Sequence, residues 1–599
     1  MLYPVDNQFR QKKCLSGLWD FKIDKDKCGE NEAWYRQLQQ PEKIAVPSSW
    51  NELYPQLKDY LGCAWYQKHF YAQKCSSAKK YIIRFDSVNY FAKVWLNGTC
   101  LGEHEGGHLP FEFDVSNAIV DGANHLVVLV ENELKPQRVP PGNCGGWQAG
   151  ASTTYPDANF DFFPYAGIQR DVYLLTIPER EIADVTVVTA IENKNGLVDI
   201  TVYCPNRRDK ACKVLCEIAG YVEEADIVGE KAQIHVHIPR AKFWSCEQPH
   251  LYTLNAYLIE NEKTIDHYSL NIGIRTVEIK EDQLLLNGEK IFLKGFGRHE
   301  DFYVSGRGAN LPLLIKDHAL LKWVGANSYR TSHYPYCEEA LQLADEQGIL
   351  IISETPAVGL RFDDGKEYIE ARQAQVLEQI STLVKRDKNH PSVIMWCVAN
   401  EPCPSQHPDS FSQLEAQLSK QVEDNKENDA AYTYVKQMLD QARRFDSSRP
   451  IAFVALLGSP NAWFELSDVL MINRYWGWYV KPADLSEAEA CLAEELDALH
   501  AQFNKPVMLA EFGADTVAGQ HSISSEMFSE EFQRDFIECY LNVVKARDYV
   551  VGAHVWNFAD FKTGQGVMRV GAMNLKGVFT RARAPKLAAH YLKSIWGEE

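Results

Sequence analysis

The chain has 599 residues, 45% of them hydrophobic and 24% charged, which excludes a single core and predicts several globular domains. Its formal charge of −19, from 62 Lys and Arg against 81 Asp and Glu, excludes a nucleic-acid partner, because a phosphate backbone demands a basic surface. It also argues against an anionic membrane, and it means that any pocket for an anionic ligand must be locally basic. The opening stretch MLYPVDNQFRQKK lacks the apolar core of a signal peptide. No apolar run reaches the ~18 residues of a membrane span, so the protein is expected in the cytoplasm. The 15 cysteines are odd in number and scattered without a CxxC, which predicts free thiols rather than disulfides or a zinc site.

Residues 1–178 read as all-β. Alternating runs such as YIIRFDSV, AKVWLNGTCLG and HLVVLVEN are separated by turn residues such as Asn97-Gly98 and Asp121-Gly122, the rhythm of a sandwich or jelly roll. Residues 179–275 continue in β with VTVVTAIE, GLVDITVYC, KVLCEIAG, AQIHVHIP, YTLNAYLI and HYSLNIGI, the scale of an immunoglobulin-like sandwich.

From residue 276 to 599 short apolar strands alternate with helical stretches. The strands are KIFLKGF, GANSYRT, GILIISE, SVIMWCVAN, PIAFVAL, DVLMINRY, PVMLAEF and VGAHVWNF, with helix-like segments such as LPLLIKDHALLKW and ARQAQVLEQISTLVKR between them. Eight such repeats predict a (β/α)8 barrel, whose active site lies at the C-terminal ends of its strands. The polar stretch Gln406–Asp429, just beyond the fourth strand, is a candidate loop over the cleft.

Two carboxylates end two of these strands: Glu401 in MWCVANE and Glu511 in VMLAEFG. Glycoside hydrolysis needs such a pair, one acid to protonate the leaving oxygen and one to attack or to activate water. A lone strand-end Glu reads more simply as a salt-bridged acid; two of them, one preceded by Asn400, favour chemistry. Arg298 and His299 end the first strand, His333 follows the second, Tyr475 and Tyr479 follow the sixth, and Trp556 lies in the eighth. Any one of these could be a satisfied core residue, but together they ring one mouth with groups suited to a sugar.

The sequence resembles glycoside hydrolase family 2, and within it the bacterial β-glucuronidases. The likeness runs nearly end to end and is dense in GFGRHED, GANSYRTSHYPY, RDKNHPSVIMWCVANEP, NRYWGWYV, AEFGADT, VWNFADF and RVGAMNLKGVFTR. It implies a jelly-roll domain, an immunoglobulin-like domain and a catalytic TIM barrel. It also implies that Glu401 is the acid/base and Glu511 the nucleophile of a retaining hydrolase. Asn400 would bind the sugar 2-hydroxyl, Tyr475 would steady the nucleophile, Trp556 would wall the sugar, and Asp161 of FDFFPYAG would reach over from the first domain.

In that frame Asn574 and Lys576 of Asn-Leu-Lys would bind a C6 carboxylate, with Arg569 adding charge. An amide and a full positive charge are groups that a neutral galactoside would not need. The resemblance implies no cofactor and no metal, a glucuronide small molecule or oligosaccharide as substrate, and a homo-oligomer, commonly a tetramer. After the third strand the chain departs from the well-known enterobacterial members: ETPAVGLRFDDGKEYIEARQ turns helical where they carry a longer insertion. Similar gut bacterial members without that insertion can hold a surface flavin, for which no GxGxxG motif is present. Alternatives left open are a β-galacturonidase, which reads the C4 epimer, and a catalytically idle carbohydrate-binding relative, against which the intact pair of acids argues.

Overall fold

The computed structural model describes every residue except 75–78, 143–157, 159, 206–211, 363, 404–429, 567 and 598–599. The candidate loop Gln406–Asp429 therefore lies outside the described residues.

The first domain is a β-sandwich. A four-stranded sheet runs in the order Gln11–Cys14, Val172–Pro178, Lys79–Phe85, Phe111–Asp114. It faces a six-stranded sheet ordered Glu42–Val46, Gly17–Asp24, Cys63–Ala72, Gly122–Glu131, Phe91–Leu96, Thr99–Glu105. Alternating inward residues, among them Trp19, Tyr66, Phe85, Val94, Val128 and Leu174, fill the space between. The second domain pairs a three-stranded sheet (Asp184–Glu192, Asn195–Tyr203, Lys231–Ile238) with a four-stranded one (Tyr221–Asp226, Cys212–Ile218, Tyr252–Glu260, Lys263–Ile272). This three-plus-four arrangement is that of an immunoglobulin-like sandwich.

The third domain is a closed parallel barrel of eight strands: β1 (Leu293–Arg298), β2 (Ser328–Thr331), β3 (Leu350–Glu354), β4 (Val393–Asn400), β5 (Ile451–Ala455), β6 (Leu470–Asn473), β7 (Val507–Phe512) and β8 (Val550–Val555). Each coincides with one of the eight apolar runs. Every residue of β4 is buried, as expected of a strand covered on both faces, and this is why such strands read as unbroken apolar runs. The surrounding helices bury one stripe each. Helix Glu530–Lys545, capped where Ser529 accepts the Phe532 N–H, turns Phe532, Phe536, Ile537, Tyr540, Val543 and Val544 inward. A small antiparallel sheet (Val277–Lys280, Gln283–Leu286, Glu289–Lys290) plugs the N-terminal end, where Val277, Leu284 and Leu286 pack on Leu293, Ile352, Met471 and Met508. The opposite end stays open for chemistry.

The first domain is fastened to that open end. Phe163 N–H donates to the Lys562 carbonyl at 2.9 Å, which holds the segment bearing Asp161 against the barrel. Arg170, buried, donates to Glu300 at 3.0 Å and to the Pro335 carbonyl at 2.7 Å, and Arg84 reaches Glu338 at 2.7 Å. A buried charge stripped of its partner costs roughly 3–5 kcal/mol. Glu300→Gln is therefore expected to lower the unfolding free energy by that order, read as an earlier first transition in denaturant; unfolding at the wild-type midpoint would show that the Arg170–Glu300 pair does not fasten the domains.

Candidate active site

The mouth of the barrel holds two polar networks that touch. The first is built on Arg330, on β2, which is fully buried. Its Nη1 donates to Glu354 at the end of β3 and its Nη2 to Glu511 on β7. Asn400 Oδ1, at the end of β4, lies 3.4 Å from Nη1. His333 Nδ1 is 2.7 Å from Glu354 Oε1 and its Nε2 is 3.6 Å from Glu511 Oε1. The Tyr475 hydroxyl donates to the other Glu511 oxygen at 2.9 Å. Asn473, at the end of β6, donates to Glu401 Oε1 at 2.8 Å and lies 3.3 Å from Asn400 Oδ1. Trp556 stacks on His333 at a ring separation of 5.0 Å. Glu401, Glu511, Asn400, His333, Tyr475 and Trp556 thus come together as the sequence predicts.

Glu401 has φ +51°, in the left-handed region that a residue with a Cβ occupies at a cost of order 1–3 kcal/mol. That turn follows β4 directly, and the Glu401 N–H donates to the Val454 carbonyl of β5 at 2.9 Å.

The second network surrounds the Asn574-Leu575-Lys576 segment. Arg569 grips Asp161 with both arms, at 3.0 and 2.5 Å. Asn574 Nδ2 donates to the same carboxylate at 2.8 Å. Lys576 Nζ donates to Asp515 and, at 2.8 Å, to the Tyr479 hydroxyl, which also receives Arg569 at 3.1 Å. The Tyr475 and Tyr479 rings, 5.2 Å apart, join the two networks.

Electrostatics separate the groups. Burial pushes the Glu401 carboxyl above its usual range, against the Asn473 hydrogen bond. Burial also raises Glu511, against the pull of Arg330 and His333, and the charge of Glu401 adds to the rise. Two adjacent acids that resist ionising together favour a state with one proton between them, which is what an acid paired with a nucleophile requires. Burial acts in the same direction on Glu354, but Arg330 and His333 outweigh it and hold that carboxyl below its usual range. Burial drives His299, packed 4.1 Å from Phe561, well below the ordinary histidine range and leaves it neutral.

Arg298 turns away from the mouth. It pairs with Asp317 at 2.7 Å, which Arg583 also grips at 2.8 Å, so it braces the barrel wall. Four residues outside the sequence-based set belong to the site: Arg330, Glu354, Asn473 and Asp515. Glu354 and Asn473 are the last residues of β3 and β6, so the strand-end rule, applied to every strand, would have found them. Arg330 sits inside SYRT, where the signal is a charged residue within a buried strand. Asp515 carries no signal beyond lying four residues past Glu511.

An eight-stranded barrel with a tuned carboxylate pair at the open ends of its strands, beside a cation-bearing pocket, defines a glycosidase-type site. Three family models cover the chain: Glycosyl hydrolases family 2, sugar binding domain, over residues 12–178; Glycosyl hydrolases family 2, over 180–275; and Glycosyl hydrolases family 2, TIM barrel domain, over 277–598. The chain belongs to glycosyl hydrolase family 2. A β-glucuronidase of Paenibacillus borealis is 38% identical across 100% of this chain and 99% of its own length. Among solved structures, a β-glucuronidase of an uncultured Clostridium species superposes with a TM-score of 0.89 at 36% identity, covering 100% of both chains. The Ruminococcus gnavus β-glucuronidase in complex with D-glucuronic acid gives 0.89 at 35% identity, with 99% of each chain covered.

The Asn473 hydrogen bond favours the ionised form of Glu401, so its loss raises the pH at which the acid ionises. Asn473→Ala should move the alkaline limb of the kcat/KM profile to higher pH; a limb that stays put or moves down would separate Glu401 from that limb.

Proposed function

We propose that this protein is a retaining β-glucuronidase that releases terminal β-D-glucuronic acid. One observation carries the reading: a tuned pair of carboxylates stands beside a pocket where Arg569, Asn574 and Lys576 present donors suited to a carboxylate, in a family whose matched relatives are β-glucuronidases. Glu511 attacks the anomeric carbon while Glu401 protonates the leaving oxygen; Glu401 then deprotonates the water that frees the sugar. Arg330 and Tyr475 hold the nucleophile's two oxygens, which aims it and sustains its charge. Asn400 takes the 2-hydroxyl, His333 and Trp556 form one wall, and Asp161 and Tyr479 frame the C6 side. No step calls for a metal or a redox cofactor. The same resemblance leads us to propose domains of 1–178, 179–275 and 276–599, a tetramer of the 68.2 kDa chain and a place in the cytoplasm. Among the described residues no helix is long and apolar enough to cross a membrane.

The reading is tested with chromogenic β-glucuronide, β-galacturonide, β-galactoside and β-glucoside side by side, with the glucuronide expected to dominate. Lys576→Ala removes the ammonium and strands the buried Asp515 carboxylate against the incoming one. At roughly 3–5 kcal/mol this should lower kcat/KM on the glucuronide about 10²–10³-fold, with a much smaller loss on the glucoside. Faster turnover of the galactoside or galacturonide by the wild type would replace the assignment, and equal losses on glucuronide and glucoside would make Lys576 structural.

Roles within the pair separate by leaving group. Glu511→Gln should abolish turnover on all substrates. Glu401→Gln should retain cleavage of good leaving groups and accumulate a glycosyl-enzyme, visible as a burst or by mass. A Glu401 variant equally impaired on good and poor leaving groups would reverse the assignment.

A further inference from the structure

Asp515 is 2% exposed and Lys576 1%, so the ammonium that would meet the substrate carboxylate is buried before any substrate arrives. An ammonium in that position is costly unless a counter-charge stands beside it. Asp515 is placed to be that charge. One of its oxygens receives Lys576 Nζ and lies 3.6 Å from Arg569 Nη1, and the other receives the Leu575 N–H at 2.9 Å. Lys576 and Arg569 hold the Asp515 carboxyl below its usual range against the push of burial.

The loop that bears it is fixed. A Cβ on Gly513 would meet the Trp556 carbonyl oxygen at 1.9 Å, so only glycine allows that approach. Gln533 Nε2 donates to the Ala514, Lys576 and Gly577 carbonyls at 3.2, 3.1 and 3.2 Å. Lys586 Nζ donates to the Thr516 and Leu575 carbonyls at 2.9 Å each. The pocket therefore holds two cations, Arg569 and Lys576, against two anions, Asp161 and Asp515.

We propose that Asp515 is a positioning residue for uronate selectivity: a resident counter-ion that holds Lys576 in place in the empty enzyme, so that the substrate carboxylate joins a pocket whose charges are already matched. The proposal rests on the β-glucuronidase reading above. Groups that face Lys576 are Asp515 from the loop after β7, the Tyr475, Trp478 and Tyr479 rings from the loop after β6, Arg569 across the Tyr479 hydroxyl, and Asp161 across Asn574. Asp515 is the carboxylate in direct contact with the ammonium. Without it the ammonium loses the acceptor that fixes its place.

The test uses the full-length enzyme with a chromogenic β-glucuronide and the matching β-glucoside. In Asp515→Asn, which keeps an acceptor for the Leu575 N–H, the glucuronide-to-glucoside ratio of kcat/KM should fall about tenfold or more below that of the wild type. Glu401 and Glu511 titrate under both substrates, so the ratio cancels them. Lys576→Met should lose about 10²–10³-fold on the glucuronide. Adding Asp515→Asn should restore tenfold or more, because the stranded carboxylate is gone, with no comparable recovery on the glucoside. Losses that simply multiply, or an Asp515→Asn ratio equal to that of the wild type, overturn the proposal. Should Lys576→Met fail to fold, the Asp515→Asn ratio decides alone. A wild type that cleaves the glucoside as well as the glucuronide defeats the underlying reading instead, so the two failures are distinct.

Discussion

The guanidinium of Arg330 is the charge on which the mouth of the barrel depends. It is shut off from solvent, and it binds the carboxylates of β3 and β7 and lies within reach of the Asn400 amide. A lone guanidinium there would be untenable, and so would Glu354 or Glu511 without it. Each member therefore requires the others, which fixes where the Glu511 oxygens point before any substrate arrives. Preorganisation of this kind is where most of the electrostatic contribution to catalysis originates, because the dipoles are oriented during folding rather than during the reaction.

The second network applies the same device to a different end. Four ionised groups and a tyrosine hydroxyl close on one another beside the sugar-facing wall. In an otherwise acidic chain, two cations gather here and Asp161 and Asp515 match their charge. Fixed carboxylates also set the geometry. Arg569 is held in a bidentate grip and Lys576 between an acid and a phenol, so neither long side chain has freedom left to lose when a ligand binds.

The barrel was legible because its strands are buried on both faces and so read as eight unbroken apolar runs, each followed by a helical stretch. The sandwiches were legible through alternation, except for Tyr221–Asp226. That strand, YVEEAD, is nearly all exposed, so no apolar face betrays it. Glu401 and Glu511 stood out in the sequence as acids at or just past strand ends, and the structure places both at the mouth of the barrel. Arg298, adjacent to the same mouth in sequence, looked equally suitable, but its side chain leaves the cleft to meet Asp317. Residues whose work lies in holding others stayed hidden. Asp515 meets Lys576 across 61 residues and Arg330 meets Glu511 across 181, and no local pattern encodes such pairings.

Asp161 meets Arg569 across 408 residues of chain. At ribosomal rates of about 5–20 residues per second, that interval takes roughly 20–80 s. The sandwich that presents Asp161 therefore emerges, and can fold, long before the segment bearing Arg569 and Asn574 has been made. For that period the aspartate waits at the edge of a finished domain for a partner not yet synthesised. Only the last part of the barrel to leave the ribosome supplies the cations that close the network around it.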